Sequence, residues 1–185
     1  MKNLFFLAAG CYLLASCNNK PSEAMSAEPK DSPSAAKSAT PPASEFADDR
    51  YMEMGKKHLA QMSSGDINGW LDAFSDKAVY YWSAGDSLAG KAALTKYWTD
   101  RRTKVIDSIS FSKDIWLPLK INRPQQGPDA PGIWLLGWYM VDVKYKNGKK
   151  LQFWVHTDMH YDDHDKIDQA VQYIDRAPIN KALGK

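Results

Sequence analysis

Residues 133–162 read IWLLGWYMVDVKYKNGKKLQFWVHTDMHYD. Two long runs rich in β-branched and aromatic residues flank Lys146-Asn147-Gly148-Lys149. Asn-Gly between such runs is the strongest local sign of a β-hairpin, because both residues tolerate positive φ. Ile133 to Tyr145 and Leu151 to Asp162 are therefore expected to pair as antiparallel strands. Asp163 to Asp165 supplies the next turn, and Ile167 to Asp175 a last strand. Upstream, Ser110 to Asn122 is β-rich despite Pro118. Arg123 to Gly132, with three prolines and two glycines, is a loop.

The segment before these strands has a different period. Tyr51, Met54, His58 and Met62 recur at spacings of three and four, which predicts a helix ending at Gly65. Asp66 is placed to N-cap a short second helix with Trp70, Leu71 and Phe74 turned inward. Ala78 to Ser83 is a short β run, and Gly85 and Gly90 bracket a turn. Lys91 to Thr103 is a third helix with Leu94, Tyr97, Trp98 and Arg101 along one side. Helices first and a strand meander afterwards predict an α+β fold rather than alternating βαβ units.

Three stretches then carry a family resemblance. Ser64-Gly65-Asp66-Ile67-Asn68-Gly69-Trp70 leads into the second helix. Val79-Tyr80-Tyr81-Trp82 precedes Leu88-Ala89-Gly90-Lys91-Ala92-Ala93-Leu94. Asp165-Lys166-Ile167 leads into Val171-Gln172-Tyr173-Ile174-Asp175. Their order and spacing resemble the SnoaL-like group of the nuclear transport factor 2-like superfamily, over residues 46–176. The resemblance implies a cone: three N-terminal helices wrapped by a curved antiparallel sheet around one deep pocket. The group includes isomerases, dehydratases, cyclases, epoxide hydrolases and proteins with no known reaction, so the site residues must decide the function.

Alternation along the second hairpin strand separates its faces. Phe153, Val155, Thr157, Met159 and Tyr161 share the more apolar face, which is expected inward; Trp154, His156, Asp158 and His160 share the other. Matching to limonene-epoxide-hydrolase-like relatives implies Trp138, Met140 and Asp142 inward on the first hairpin strand. It also implies Ala170, Gln172 and Ile174 inward on the last strand, and Tyr80 and Trp82 on the first. Those hydrolases activate water with an Asp-Arg-Asp group, where this chain has Trp138, Met140 and Gln172, none a general base at neutral pH.

The expectation is an aromatic cup of Tyr80, Trp82, Trp98, Trp138, Met140, Phe153, Val155, Thr157, Gln172 and Ile174. It would take a small apolar or aromatic molecule, without cofactor or metal. The alternatives are a cofactor-independent lyase, isomerase or hydrolase using His156, Asp158 or Asp142, and a structural or assembly module. Strand neighbours two apart lie about 6.6 Å from each other, and His156 lies about 13 Å from His160, so one metal cannot take that whole row. His58 reads as a core histidine, Asp175 as a structural hydrogen-bond acceptor, and Arg101-Arg102 and Lys149-Lys150 as solvated pairs.

The other end of the chain speaks of location. Leu14-Ala15-Ser16-Cys17 follows an apolar stretch, Leu4 to Leu14, opened by Lys2. This resembles a bacterial lipobox, with residues 1–16 a signal peptide and Cys17 the lipidated residue; Cys11 is a weaker candidate. The apolar stretch is too short to span a bilayer. Asn18, not Asp, follows Cys17, which by analogy favours the outer membrane of a Gram-negative cell. With Cys17 alone after cleavage, no internal disulfide can form. Asn18 to Glu45 holds five of the ten prolines and reads as a disordered linker before one domain, 46–185. The formal net charge of +2 argues against a nucleic-acid partner. Trp154, with Tyr139 and Tyr145 on the same side of the neighbouring strand, would form an outer aromatic patch and suggests a two-fold homodimer.

Overall fold

The register of the central hairpin is set by a three-residue loop. In the computed structural model, which describes residues 40–123 and 130–185, the Tyr145 N–H donates to Lys149 O at 2.8 Å and the Gly148 N–H to Tyr145 O at 2.9 Å. Gly148 sits at φ 84°, the left-handed residue that such loops require. The next turn repeats the pattern: Asp162 N–H donates to Lys166 O and Asp165 N–H to Asp162 O, with Asp165 at φ 56°. The elements in order are β1 (Ser44–Phe46), α1 (Arg50–Ser64), α2 (Ile67–Asp72), β2 (Phe74–Trp82), β3 (Ser87–Ala89) and α3 (Lys91–Asp100). They continue with a π-helical turn (Arg101–Val105), β4 (Ile106–Ile121), β5 (Gly132–Tyr145), β6 (Lys150–Tyr161), β7 (Ile167–Tyr173) and α4 (Ala177–Leu183). The strands form one seven-stranded sheet in the order β1-β4-β5-β6-β7-β2-β3.

The helices of the first half follow their local signals. Gly65 ends α1 in the left-handed conformation, φ 84°. The Asp66 side chain accepts from the Gly69 N–H at 3.0 Å and so caps α2. Several expectations need correction. The sheet is mixed, not wholly antiparallel, because β2 runs parallel to β7 with Tyr80 opposite Ala170 and Trp82 opposite Gln172. The third helix stops at Asp100 and widens into the π-helical turn, with the Ile106 N–H donating to Arg101 O. A fourth helix, α4, was not anticipated, although Pro178 near its start and Gly184 after its end are ordinary helix punctuation. Ser44 and Glu45, read as linker, pair as an edge strand on β4, opposite Ile121 and Lys120. Cys17 and most of the expected linker, and residues 124–129 of the expected loop, lie outside the described residues.

The largest correction is the face of β5. A two-residue turn at Asn147-Gly148 would set Met140 opposite Val155. The three-residue loop instead sets Tyr139 opposite Val155 and Val141 opposite Phe153. A one-residue slip exchanges every side chain between the faces of a strand. Tyr139, Val141, Val143 and Tyr145 therefore point inward and are buried. Trp138, Met140 and Asp142 lie on the outer face, opposite His156, Trp154 and Gln152.

Helix α1 reaches the sheet through Trp116 of β4. A Cβ on Gly55 of α1 would come within 2.8 Å of the Trp116 ring, and Gly137 of β5 lies against the same ring. Two glycines thus make the hollow that the indole fills, and Leu135, fully buried, packs beside it. Gly137→Ala pushes a methyl group into that ring, and overpacking of a core costs about 1–3 kcal/mol. Urea unfolding is expected to show that loss, with an unchanged slope; a midpoint equal to that of the parent chain would contradict the packing described.

Candidate functional site

The inward faces enclose a cavity of about 260 Å³. Its wall comes from each layer of the cone: His58 and Met62 of α1, Trp70 of α2, Tyr80 and Trp82 of β2, Trp98 of α3, Arg101, Tyr139 of β5, Thr157 of β6, Gln172 of β7 and Ile179 of α4. Of the expected cup, Tyr80, Trp82, Trp98, Phe153, Val155, Thr157, Gln172 and Ile174 line this cavity. Trp138 and Met140 do not, for the register reason given above. Tyr139, expected on the outer face, is a wall residue outside the expected cup, as are His58, Trp70 and Arg101; the loop pattern after Tyr145 was the signal that could have placed Tyr139.

Aromatic rings make most of the surface. Trp70 and Trp98 have centroids 5.1 Å apart, Tyr80 and Trp82 also 5.1 Å, and Trp82 and Tyr97 5.3 Å. These tilted pairs suit the quadrupoles of the rings and leave their faces available to a planar or apolar guest. The polar groups are few. Tyr139 Oη and Thr157 Oγ1 share a hydrogen bond of 2.8 Å, and Trp82 Nε1 donates to Gln172 Oε1 at 3.3 Å. Burial raises the pKa of the Tyr139 phenol, partly offset by hydrogen bonds to Thr157 and Gln172. Burial, with the neighbouring Tyr139 and Tyr97 phenols, pushes the Tyr80 phenol well up, and Arg101 acts against that rise. Among the described residues that line the cavity there is no Asp or Glu.

His58 is the imidazole on this wall. It is 7 % exposed, stacked on Trp70 at 4.7 Å, and its Nδ1 has no hydrogen-bond partner among the described residues. Desolvation lowers its pKa to about 3, so it stands neutral at physiological pH.

The residues considered for catalysis are elsewhere. The His156 ring lies between Trp138 at 4.3 Å and Tyr173 at 5.3 Å, stacked on both, on the outer face. Its Nε2 is 2.8 Å from Asp158 Oδ1 and its Nδ1 3.1 Å from Gly137 O. Asp142 accepts from Gln152 Nε2 at 2.7 Å on the same face. His160 pairs with Asp168 at 2.6 Å, and its other nitrogen lies 3.1 Å from Pro131 O. Of two further readings, one is seen and the other is not. Asp175 accepts from the Ala177 N–H at 2.9 Å at the start of α4. Arg101 and Arg102 are half-buried, not solvated, and Arg102 Nε donates to Met62 O at 3.4 Å.

Comparison with known proteins agrees at the level of fold. No family sequence model and no curated protein matches the chain. Solved structures do. A candidate isomerase from Bacillus subtilis superposes with a TM-score of 0.56 at 17 % identity, over 72 % of this chain and 91 % of that one. A nuclear transport factor 2-like protein of unknown function from Burkholderia pseudomallei gives 0.56 at 11 % identity, over 72 % and 97 %. A protein with a ketosteroid isomerase-like fold from Catenulispora acidiphila, solved with trimethylamine, gives 0.51 at 11 % identity, over 71 % and 92 %. The domain has the nuclear transport factor 2-like α+β fold, as the three sequence stretches implied.

The neutral state of His58 has a consequence for stability. The unfolded chain takes up a proton near the ordinary histidine pKa of about 6.5, whereas the folded chain does so only near 3. The contribution of this residue is therefore complete above pH 6.5 and is lost progressively as pH falls toward 3, by at most about 1.4 kcal/mol per pH unit. His58→Phe is expected to flatten the stability profile between pH 6.5 and 4 in denaturant titrations. An unaltered slope would contradict a buried neutral imidazole.

Proposed function

We propose that this protein is a lipid-anchored envelope protein whose domain binds one small apolar or aromatic molecule in the cavity without transforming it. The observation that supports binding is the cavity itself. It is large enough for a guest, faced with aromatic rings, and furnished with the Tyr139-Thr157 and Trp82-Gln172 pairs as orienting groups. An engineered apolar cavity of about 150 Å³ holds benzene, so about 260 Å³ suits a two-ring body. An isomerase-type reading draws on the names of the structural neighbours. It needs a base in the cavity, and His58, with a pKa of about 3, is a weak one at neutral pH. Titration of the purified protein with 2-naphthylmethanol in a calorimeter is expected to give one site per chain with Kd below about 1 mM. The absence of heat with this probe and with other two-ring compounds would overturn the binding reading.

The anchor rests on Leu14-Ala15-Ser16-Cys17. An acylated Cys17 would hold the protein at a membrane, here proposed to be the Gram-negative outer membrane. Metabolic labelling with a fatty acid is expected to mark the parent chain and not Cys17→Ala; equal label in both would remove the anchor.

The same proposal includes a two-fold homodimer on the outer sheet face. Its support is a patch different from the one first expected, since Tyr139 and Tyr145 are internal. Trp154 is 50 % exposed, Tyr173 47 % and Ile115 58 %, around the stacked Trp138 and His156. A contiguous apolar patch of this kind is what an interface covers. Sedimentation is expected at about twice the chain mass, shifting to the monomer in Trp154→Lys. A monomeric parent chain at micromolar concentration would exclude the dimer.

A further inference from the structure

The cavity wall holds two donors without a hydrogen-bond partner among the described residues. Trp98 Nε1 is buried without a hydrogen-bond partner among the described residues. Arg101 lies three residues on, over the same helical face, where α3 opens into the π-helical turn. Its side chain is half-buried on the cavity wall. Among the described residues it makes no side-chain hydrogen bond or ion pair. The acid next to it in the chain is engaged by other cations: Asp100 is held by Lys96 at 3.3 Å and Lys104 at 2.6 Å. The charge of Arg101 nevertheless reaches inside. Burial raises the pKa of the Tyr80 and Tyr145 phenols, and Arg101 acts against that rise at both.

A guanidinium that has lost part of its hydration, beside a buried indole N–H, calls for an oxyanion. The side chains of the wall contribute none, because the described residues that line it include no Asp or Glu. We propose that the ligand of this cavity is an apolar monocarboxylate. Its carboxylate accepts from Trp98 Nε1 and the Arg101 guanidinium, and its two-ring or similarly sized body lies among Trp70, Tyr80, Trp82 and Tyr139. This rests on the binding reading above and narrows it. The aromatic faces could also receive an ammonium group, but a half-buried arginine without a counter-charge repels one.

The experiment compares probes that differ in the anion alone. The purified protein is titrated calorimetrically with 2-naphthoate, 2-naphthylmethanol and trimethylamine hydrochloride. Naphthoate is expected to bind about ten- to a hundredfold more tightly than the alcohol. Arg101→Gln is expected to bring the acid down to the alcohol while leaving the alcohol unchanged. Trp98→Phe, which keeps the ring and removes the donor, is expected to weaken the acid severalfold with little effect on the alcohol. Equal affinity for acid and alcohol, or an acid preference that survives Arg101→Gln, overturns the carboxylate inference and leaves the pocket standing. Tighter binding of trimethylamine also overturns it. No binding of any probe removes the pocket reading and this inference together. Circular dichroism and thermal melting of each variant identify one that has failed to fold, and the probe comparison on the parent chain decides without it.

Discussion

The hydrogen bond from the Tyr145 N–H to Lys149 O determines what this domain can hold. It closes a loop of three residues, and Gly148 makes that loop possible by taking a backbone conformation most residues avoid. The register of β5 on β6 follows from it, and the inward row Tyr139, Val141, Val143, Tyr145 follows from the register. A loop one residue shorter would have presented Trp138, Met140 and Asp142 to the cavity. The Tyr139-Thr157 hydrogen bond would be lost, and a carboxylate would stand at the wall where there is now a phenol. Cavity chemistry is in this sense a property of a turn remote from most of the cavity.

The helices hold the other half of the wall by a different device. Trp116 sits in the hollow made by Gly55 and Gly137, which brings α1 close to the sheet. That approach carries His58 and Met62 to the cavity, where His58 stacks on Trp70. Trp70 in turn packs on Phe74 and Trp98, and Trp98 on Tyr80. The rings form one connected cluster spanning α1, α2, β2 and α3. Close packing of this kind keeps a cavity open by rigidity, since large rings in tilted contact have few alternative positions. On the far face, His156 and His160 each lie between a main-chain carbonyl and a carboxylate. Those polar pairs brace the sheet from outside and take no part in the cavity.

Much of this was legible in the residues. The caps at Gly65 and Asp66 and the alternation of Phe153, Val155, Thr157 and Met159 follow from short-range rules, whereas the inward Tyr80, Trp82 and Gln172 follow from the family resemblance. What was lost depended on relations that a periodic pattern does not contain. The face of β5 is ambiguous because both of its rows are apolar: Leu136, Trp138, Met140 on one side and Tyr139, Val141, Val143 on the other. The direction of β2 against β7 depends on how distant segments meet. Arg101 looked like half of a solvated Arg-Arg pair, because the sequence does not reveal that the helix widens at that residue. Helix α4 was passed over despite Pro178 and Gly184, since its seven residues carry little amphipathic signal.

The parallel contact between β2 and β7 has a consequence for how the chain assembles. Trp82 and its partner Gln172 are 90 residues apart. Closing so long a loop is entropically costly before any contact repays it, and folds dominated by such pairings form slowly. A chain emerging from its N-terminus makes α1, α2 and β2 well before β7 exists. For that interval the edge of β2 that β7 later covers, with Tyr80 and Trp82 beside it, has no strand to pair with. The residues that later form the wall of the cavity are thus, during synthesis, the surface most open to a chaperone or to the wrong strand.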